Sequence, residues 1–259
     1  MTGTEGAISI IPLRGIPEIK PGDDLVSIVS RSASDQGLSF LDGDIVVFAQ
    51  KIISKAEGRI VELGKVKPSP FALTLSKEIS KDPRLVEVIL SETTKIIKMD
   101  QRKPEKGRLI VETRGGVISA NAGVDASNVS GGDSVTLLPL DSDESAKKLA
   151  QGLTNMVGAE IAVVITDTVG RPWRDGLVDI AIGCSGIRPL QDLRGMKDSQ
   201  GLELSATVMA VADEIASAAG LKMGKNDAVP VVVVRGYPYE RGEGSAREII
   251  RSPEDDLFR

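Results

Sequence analysis

Short apolar runs alternate along the chain with stretches in which apolar positions return at helical spacing. "AISIIPL" reads as a strand, and "GDDLVSIVSRSAS" as a helix with acids at its N-terminus, where they complement the dipole. "DGDIVVFAQ" predicts a second strand, buried on both faces. Residues 69 to 99 read as two helices, the second opened by Asp82 as N-cap with Pro83 at its first position. "RLIVETRGGVISAN" predicts a hairpin whose turn at Gly115-Gly116 draws on the positive φ open to glycine. "SVTLLPL" is another strand. "DSDESAKKLAQGLTNMVG" is an amphipathic helix with acids at its start and Gly158 past its end. A strand at 161–166, a helix around 206–219, the strand "PVVVVRG" and a short helix in "EGSAREIIRS" complete the pattern. The mixture predicts an α/β or mixed α+β fold. No shift in composition marks a boundary, so residues 1–259 are read as a single domain, with room for two subdomains.

Composition narrows the chemistry. The chain contains no histidine and one cysteine, Cys184. That excludes an intrachain disulfide, Cys- or His-built metal sites, and histidine as a general base. A metal would have to be held by oxygen ligands, the preference of Mg²⁺ or Mn²⁺. A net charge of −5 with dispersed basic residues, and 3% aromatics, argue against nucleic-acid binding. No apolar stretch reaches the ~20 residues needed to span a bilayer, and "MTGTEGAISIIPLRG" lacks the pattern of a signal peptide. The expected location is cytoplasmic, with no membrane partner.

Candidate chemistry gathers in five places. In "AVVITDTVGRPWRDG" an apolar strand stops on Asp167 and Thr168, and Arg171 and Arg174 follow. A strand ending there would present both oxygen donors at its carboxyl end, where open α/β sheets bind ligands, with the arginines as phosphate clamps. The bland alternative is an Asx-turn that merely ends the strand. "NAGVDASNV" sets Asn121, Asp125, Ser127 and Asn128 among small residues that allow close backbone approach, and Asp125 is a second candidate carboxylate; otherwise it is a polar turn. "ISKAEGR" offers Lys55 as a point charge for a phosphate, or a solvated face. "MGKND" at 223–227 is a loop able to wrap a nucleotide. "RGEGSAREII" could aim backbone N–H groups at an anion. Neither a P-loop nor a G-x-G-x-x-G fingerprint is present.

Taken in order, "IPLRGIPEIKPGDDL", "SKAEGR", "NAGVDASNV", "VVITDTVGRPWRDG", "AIGCSGI", "KDSQGLEL", "VADEIASAAGLKMGK", "VVVVRG" and "GEGSA" resemble the coenzyme F420-0:L-glutamate ligase (F420 γ-glutamyl ligase) family over nearly the whole chain. The resemblance implies the family's own γ-glutamyl ligase fold with mixed sheets and an intertwined homodimer. It implies GTP-dependent addition of L-glutamate to the lactyl carboxylate of F420-0, then a γ-linked glutamate, through an acyl phosphate, with release of GDP and phosphate. By matching segments, Asp125 and Asp167 would hold one divalent metal (Mg²⁺ or Mn²⁺) and Thr168 would touch a second; a monovalent cation such as K⁺ could assist. Ile16, Pro17, Glu18 and Ile19, the pair Gln50-Lys51, Lys55 and Asn128 would contact GTP, and Met223, Gly224 and Lys225 would belong to a loop closing over it. Arg171 and Arg174 would meet the phosphate or carboxylate of the acceptor. The chain departs from some relatives in carrying Lys225 where an acid occurs and in a shorter 223–227 loop. With "SPEDDLFR" closing the sequence, no C-terminal nitroreductase-like domain is expected. The competing readings are a nucleotide-dependent ligase for another carboxylate and a non-catalytic GTP-binding protein.

Overall fold

The computed structural model describes residues 6–101, 107–125, 133–224 and 227–257. In chain order the elements are β1 (Ser9–Leu13), α1 (Leu25–Asp35), β2 (Ile45–Ala49), α2 (Gln50–Ala56), β3 (Ile60–Glu62), α3 (Pro70–Ile79), α4 (Pro83–Ser91), β4 (Thr93–Asp100), β5 (Arg108–Thr113), β6 (Ile118–Ala120), β7 (Ser134–Thr136), α5 (Ser142–Val157), β8 (Ala162–Arg171), β9 (Arg174–Ser185), β10 (Gln191–Asp192), β11 (Val208–Met209), α6 (Val211–Met223) and β12 (Val231–Arg235). The mixed α/β class expected from the sequence is what forms. Among the described residues no helix is long and apolar enough to cross a membrane.

The main sheet has five strands in the order β1-β12-β2-β8-β9. β1, β2 and β8 run one way and β12 and β9 the other, so only the β2–β8 pair is parallel. Alternation then divides the strand residues between two faces. Val46, Phe48, Val163, Ile165, Val231 and Val233 pack under α1 and α5. Ile45, Val47, Val164, Val232 and Val234 pack on α6. Strands covered on both faces read as unbroken apolar runs, as β2 and β12 do. Smaller clusters join α3 and α4 to β5, and α4 to β7.

Local chemistry sets the helix ends. The Asp24 carboxylate accepts from the Val26 and Ser27 N–H groups, Asp82 accepts from Arg84 N, and Asp141 accepts from Glu144 N. Gly158 takes the left-handed conformation that closes α5.

Other expectations are corrected. The strand expected to stop at residue 166 continues to Arg171, turns at Pro172-Trp173 and returns as the 12-residue β9, which the sequence did not suggest. Gly170, Gly176 and interspersed charges hide the strand period there, and cross-strand pairing supplies what local pattern lacks. Residues 93–99, expected as helix, form part of β4, where backbone bonds to β5 hold a strand of mostly polar residues. The helix around 206–219 begins only at Val211. Gly116 alone of the Gly115-Gly116 pair has a positive φ. The "EGSAREIIRS" helix is a 3-10 turn over Ala246–Ile249. Its N–H groups are not available to an anion, since Glu248 accepts from Ser245 N, Asp143 from Ala246 N and Ser245 Oγ from Arg247 N.

Cys184 lies in the core on the α6 side, and its N–H donates to Asp143. Burial, reinforced by the Asp143 and Glu248 charges, pushes its thiol up to about 12. Because the thiolate is the nucleophile, iodoacetamide at pH 8 should label the native chain at least about 100-fold more slowly than the urea-unfolded chain. Equal rates would contradict this packing.

Candidate active site

The sheet topology brings four segments to one edge. Leu13, the last residue of β1, pairs with Val231, the first of β12; Val231 in turn pairs with Phe48. Ala49 N donates to Pro230 O at 2.8 Å, and Ala49 is in register with Thr166. The loop after β1, the start of α2, the approach to β12, and Asp167 midway along β8 therefore all meet at the carboxyl end of β2. Ligands of open α/β sheets bind at this kind of edge. Ile16–Ile19, Gln50-Lys51, residues 227–230 leading into β12, and Asp167 were four separate stretches in the sequence, and the topology unites them, whereas Met223 ends α6 buried in the core on the other face. Ile19 is buried in the core and Ile16 packs against it, so what they can offer a ligand is backbone. Asn128 and Lys225, with Ser127, lie outside the described residues.

α2 carries the cations. Its Gln50, Ser54 and Lys55 are buried, and Ser54 Oγ donates to Gln50 Oε1 at 2.8 Å. One turn apart, Lys51 and Lys55 reach acids on different segments. Lys51 Nζ lies 2.6 Å from Asp125 Oδ2, and Lys55 Nζ lies 2.5 Å from Glu18 Oε1. The Lys55 side chain is 7% exposed, so its charge sits in a low-dielectric setting where it acts strongly on a neighbouring anion.

Asp125 is rigidly placed. Asn121, Ala122 and Gly123 all have positive φ, a costly conformation for the alanine. Asn121 Oδ1 accepts from Leu109 N at 3.1 Å, which anchors the turn to β5. Asp125 N donates to Thr136 O and Thr136 N donates to Asp125 O, which fixes the carboxylate beside β7.

Asp167 and Thr168 face opposite ways. Asp167 is in register with Ile180, which packs against the α1–α5 core, so the two share that face of the sheet with α2. Thr168 is in register with Asp179 and donates its hydroxyl proton to that carboxylate. A Cβ built on Gly220 of α6 would collide with Asp179 Oδ2, which puts the Thr168–Asp179 pair on the α6 side. Asp179 was missed by the sequence reading; the one signal available was a lone acid inside the apolar stretch "LVDIAIG".

Arg171 and Arg174 stand opposite each other at the tip of the β8–β9 hairpin, where Arg171 Nη2 donates to Asp175 O at 2.9 Å. Arg171 is four residues along an extended strand from Asp167, about 13 Å. The expectation of acid, hydroxyl and two guanidiniums in one small space is not met within the chain. The hairpin separates them.

A profile of the F420-0:Gamma-glutamyl ligase family matches residues 15–236. The chain belongs to that family. Matched relatives are the coenzyme F420:L-glutamate ligases of Methanothermobacter thermautotrophicus, 44% identical over 97% of this chain and 99% of that protein, and of Methanopyrus kandleri, 44% identical over 98% and 100%. The one from Methanocaldococcus jannaschii is 45% identical over 84% of this chain and 85% of its own. The family span opens immediately before the Ile16–Ile19 loop and closes one residue past β12, so every segment that meets at the sheet edge lies inside it.

As a possible metal centre the edge supplies hard oxygen donors only. Asp167 lies on the face of the sheet that α1 and α5 cover and Asp125 meets Lys51 of α2, and the described residues hold no group of three or more acids, cysteines or histidines suited to a metal. Carboxylates in this number suit a cation that keeps water and phosphate oxygens as its remaining ligands, which is the habit of Mg²⁺.

Proposed function

We propose that the chain joins L-glutamate to the lactyl carboxylate of coenzyme F420-0, using GTP and releasing GDP and phosphate, and then extends the product through a γ-linkage. Membership of the family and the names of the relatives support the glutamate ligase reading. The observation that carries the finer reading is the pairing of Lys51 with Asp125 and Lys55 with Glu18 at the edge where Asp167 emerges. A carboxylate is a poor acyl donor until its oxygen is phosphorylated. In the first step the acceptor carboxylate oxygen bonds to the γ-phosphorus of GTP as the bond to the β-phosphate oxygen breaks. In the second, the amine of glutamate, having lost a proton, forms the C–N bond as phosphate leaves.

Such phosphoryl transfer needs positioning and charge neutralisation more than covalent help. Lys55 is the buried cation that would meet the polyphosphate, with Lys51 beside it. Asp125 and Asp167 would hold a divalent metal, which supplies neutralisation of the charge that develops on the phosphate oxygens. Glu18 and Asp125 hold the two ammonium groups in place, so the lysines are oriented before a nucleotide arrives. In this reading the chain works as an intertwined homodimer, and the β8–β9 hairpin, with Trp173 78% and Leu177 65% exposed, is the apolar surface that a second copy would cover.

The test is mass spectrometry of F420-0 incubated with the protein, L-glutamate, Mn²⁺ and GTP, with ATP replacing GTP in a parallel reaction. Stepwise mass increases of one glutamyl unit in the GTP reaction are expected. An unchanged F420-0 alongside GTP hydrolysis driven by a different carboxylate would replace the acceptor, and no hydrolysis with any acceptor would support a binding role.

A further inference from the structure

Two ion pairs stand at the sheet edge, and in each of them one partner is fixed while the other is free to leave. In the first pair the cation is fixed: the Lys55 side chain is 7% exposed, whereas that of Glu18 is 63% exposed. In the second the acid is fixed. Asp125 exchanges both backbone hydrogen bonds with the fully buried Thr136, and the turn before it is anchored to β5 through Asn121. Lys51 reaches Asp125 Oδ2 at 2.6 Å with a side chain 24% exposed. Its ammonium rides on a flexible four-carbon stem, so it can swing into solvent while the buried side of α2 stays packed.

The ammonium on Asp125 Oδ2 marks that oxygen as a place for a cation. An ammonium and a divalent ion on one carboxylate repel each other, so a metal that takes Asp125 weakens the hold on Lys51. The phosphate oxygens of a nucleotide would offer Lys51 a charge-assisted bond in exchange. The two pairs cancel in charge. Neither a metal alone nor a polyphosphate alone therefore meets an unopposed countercharge in them.

We propose that Lys51 is a resident counter-ion that the divalent metal displaces from Asp125, and that the freed ammonium passes to the phosphates of the nucleotide arriving with the metal. This rests on the proposed nucleotide-dependent reading of the site, and it adds that metal and nucleotide bind cooperatively. One residue opposes the metal alone and favours the metal–nucleotide complex. By linkage, the metal raises nucleotide affinity by the factor through which the nucleotide raises metal affinity.

Lys51→Met keeps the length of the side chain and removes its charge, and Lys51→Arg keeps the charge. Mn²⁺ binding without nucleotide, followed by electron paramagnetic resonance, should be about fivefold tighter or more in Lys51→Met, and within about twofold of wild type in Lys51→Arg. Equilibrium dialysis with radiolabelled GTP at saturating Mn²⁺ should show binding at least about tenfold weaker in Lys51→Met, through loss of a charge-assisted bond. The urea midpoint of Lys51→Met should stay near that of wild type, because the pair is partly exposed. The opposite signs are decisive, since a lysine that only supported Asp125 as a ligand would weaken both kinds of binding when lost. Unchanged or weaker Mn²⁺ binding in Lys51→Met overturns the exchange, and wild-type binding of Mn²⁺ and GTP then leaves the ligase reading standing. Tighter Mn²⁺ binding with GTP binding unchanged or tighter overturns the transfer to phosphate. If the wild type binds neither Mn²⁺ nor GTP, the exchange and the nucleotide-dependent reading fall together. No arm uses F420-0 or glutamate, so opposite shifts with F420-0 unreactive would support the exchange and replace only the acceptor.

Discussion

Asp125→Ala is expected to lower GTP-dependent turnover by well over 100-fold while leaving the fold intact. Replacing residues that merely support a metal ligand costs about 10–100-fold, and under the proposed function Asp125 would be a ligand itself, whose loss should cost more. The stability loss should be small. The Lys51–Asp125 pair is partly exposed, with side-chain exposures of 24% and 35%, and such pairs contribute about 0–1 kcal/mol. The backbone bonds between Asp125 and Thr136 do not involve the side chain. Mn²⁺ titration followed by electron paramagnetic resonance should show weaker or fewer bound ions per chain, with the urea midpoint nearly unchanged. Glu62→Ala, which removes the exposed Glu62–Lys65 pair, serves as the control and should leave turnover and Mn²⁺ binding alone. Full activity in Asp125→Ala would take Asp125 out of the site.

Gly183→Ala is expected to produce the largest loss of stability, about 3 kcal/mol or more, because overpacking that meets backbone forces it to move. A Cβ at Gly183 would lie against Ser142 O, 2.5 Å from Ser142 C and 2.7 Å from Ser142 Cβ. The N-terminus of α5 rests directly on β9 there. Displacing it would also pull Asp143 from the N–H groups of Cys184 and Ala246, uncoupling helix, sheet and C-terminal turn together. Gly170 is the control, since a Cβ there meets nothing within 4 Å and its φ is not positive. Its alanine variant should keep the wild-type urea midpoint to within about 0.5 kcal/mol. Equal midpoints for the two variants would contradict the packing of α5 on β9.

Much of the framework was legible because its causes are local. The apolar runs of β2 and β12, the carboxylate caps at Asp24, Asp82 and Asp141, and the β5–β6 hairpin each depend on residues a few positions apart. The absence of histidine and the single cysteine limited any metal site to oxygen donors before a coordinate was known, since ligand type is a property of composition. Lys51, Lys55 and the acids at 125 and 167 were visible as residues, but not their partners. Lys51 meets Asp125, and Lys55 meets Glu18, because β1 and β2 end side by side against the start of β12 with the middle of β8 beside them, and strand order is fixed by long-range pairing that no window of sequence contains. The same pairing carried β8 past Asp167 and sent Thr168 to the other face, toward Asp179. Sequence alone determined which chemical groups this protein has; only the tertiary structure decided which of them face one another, because a strand's neighbours and the sides of its residues are set by register across the sheet.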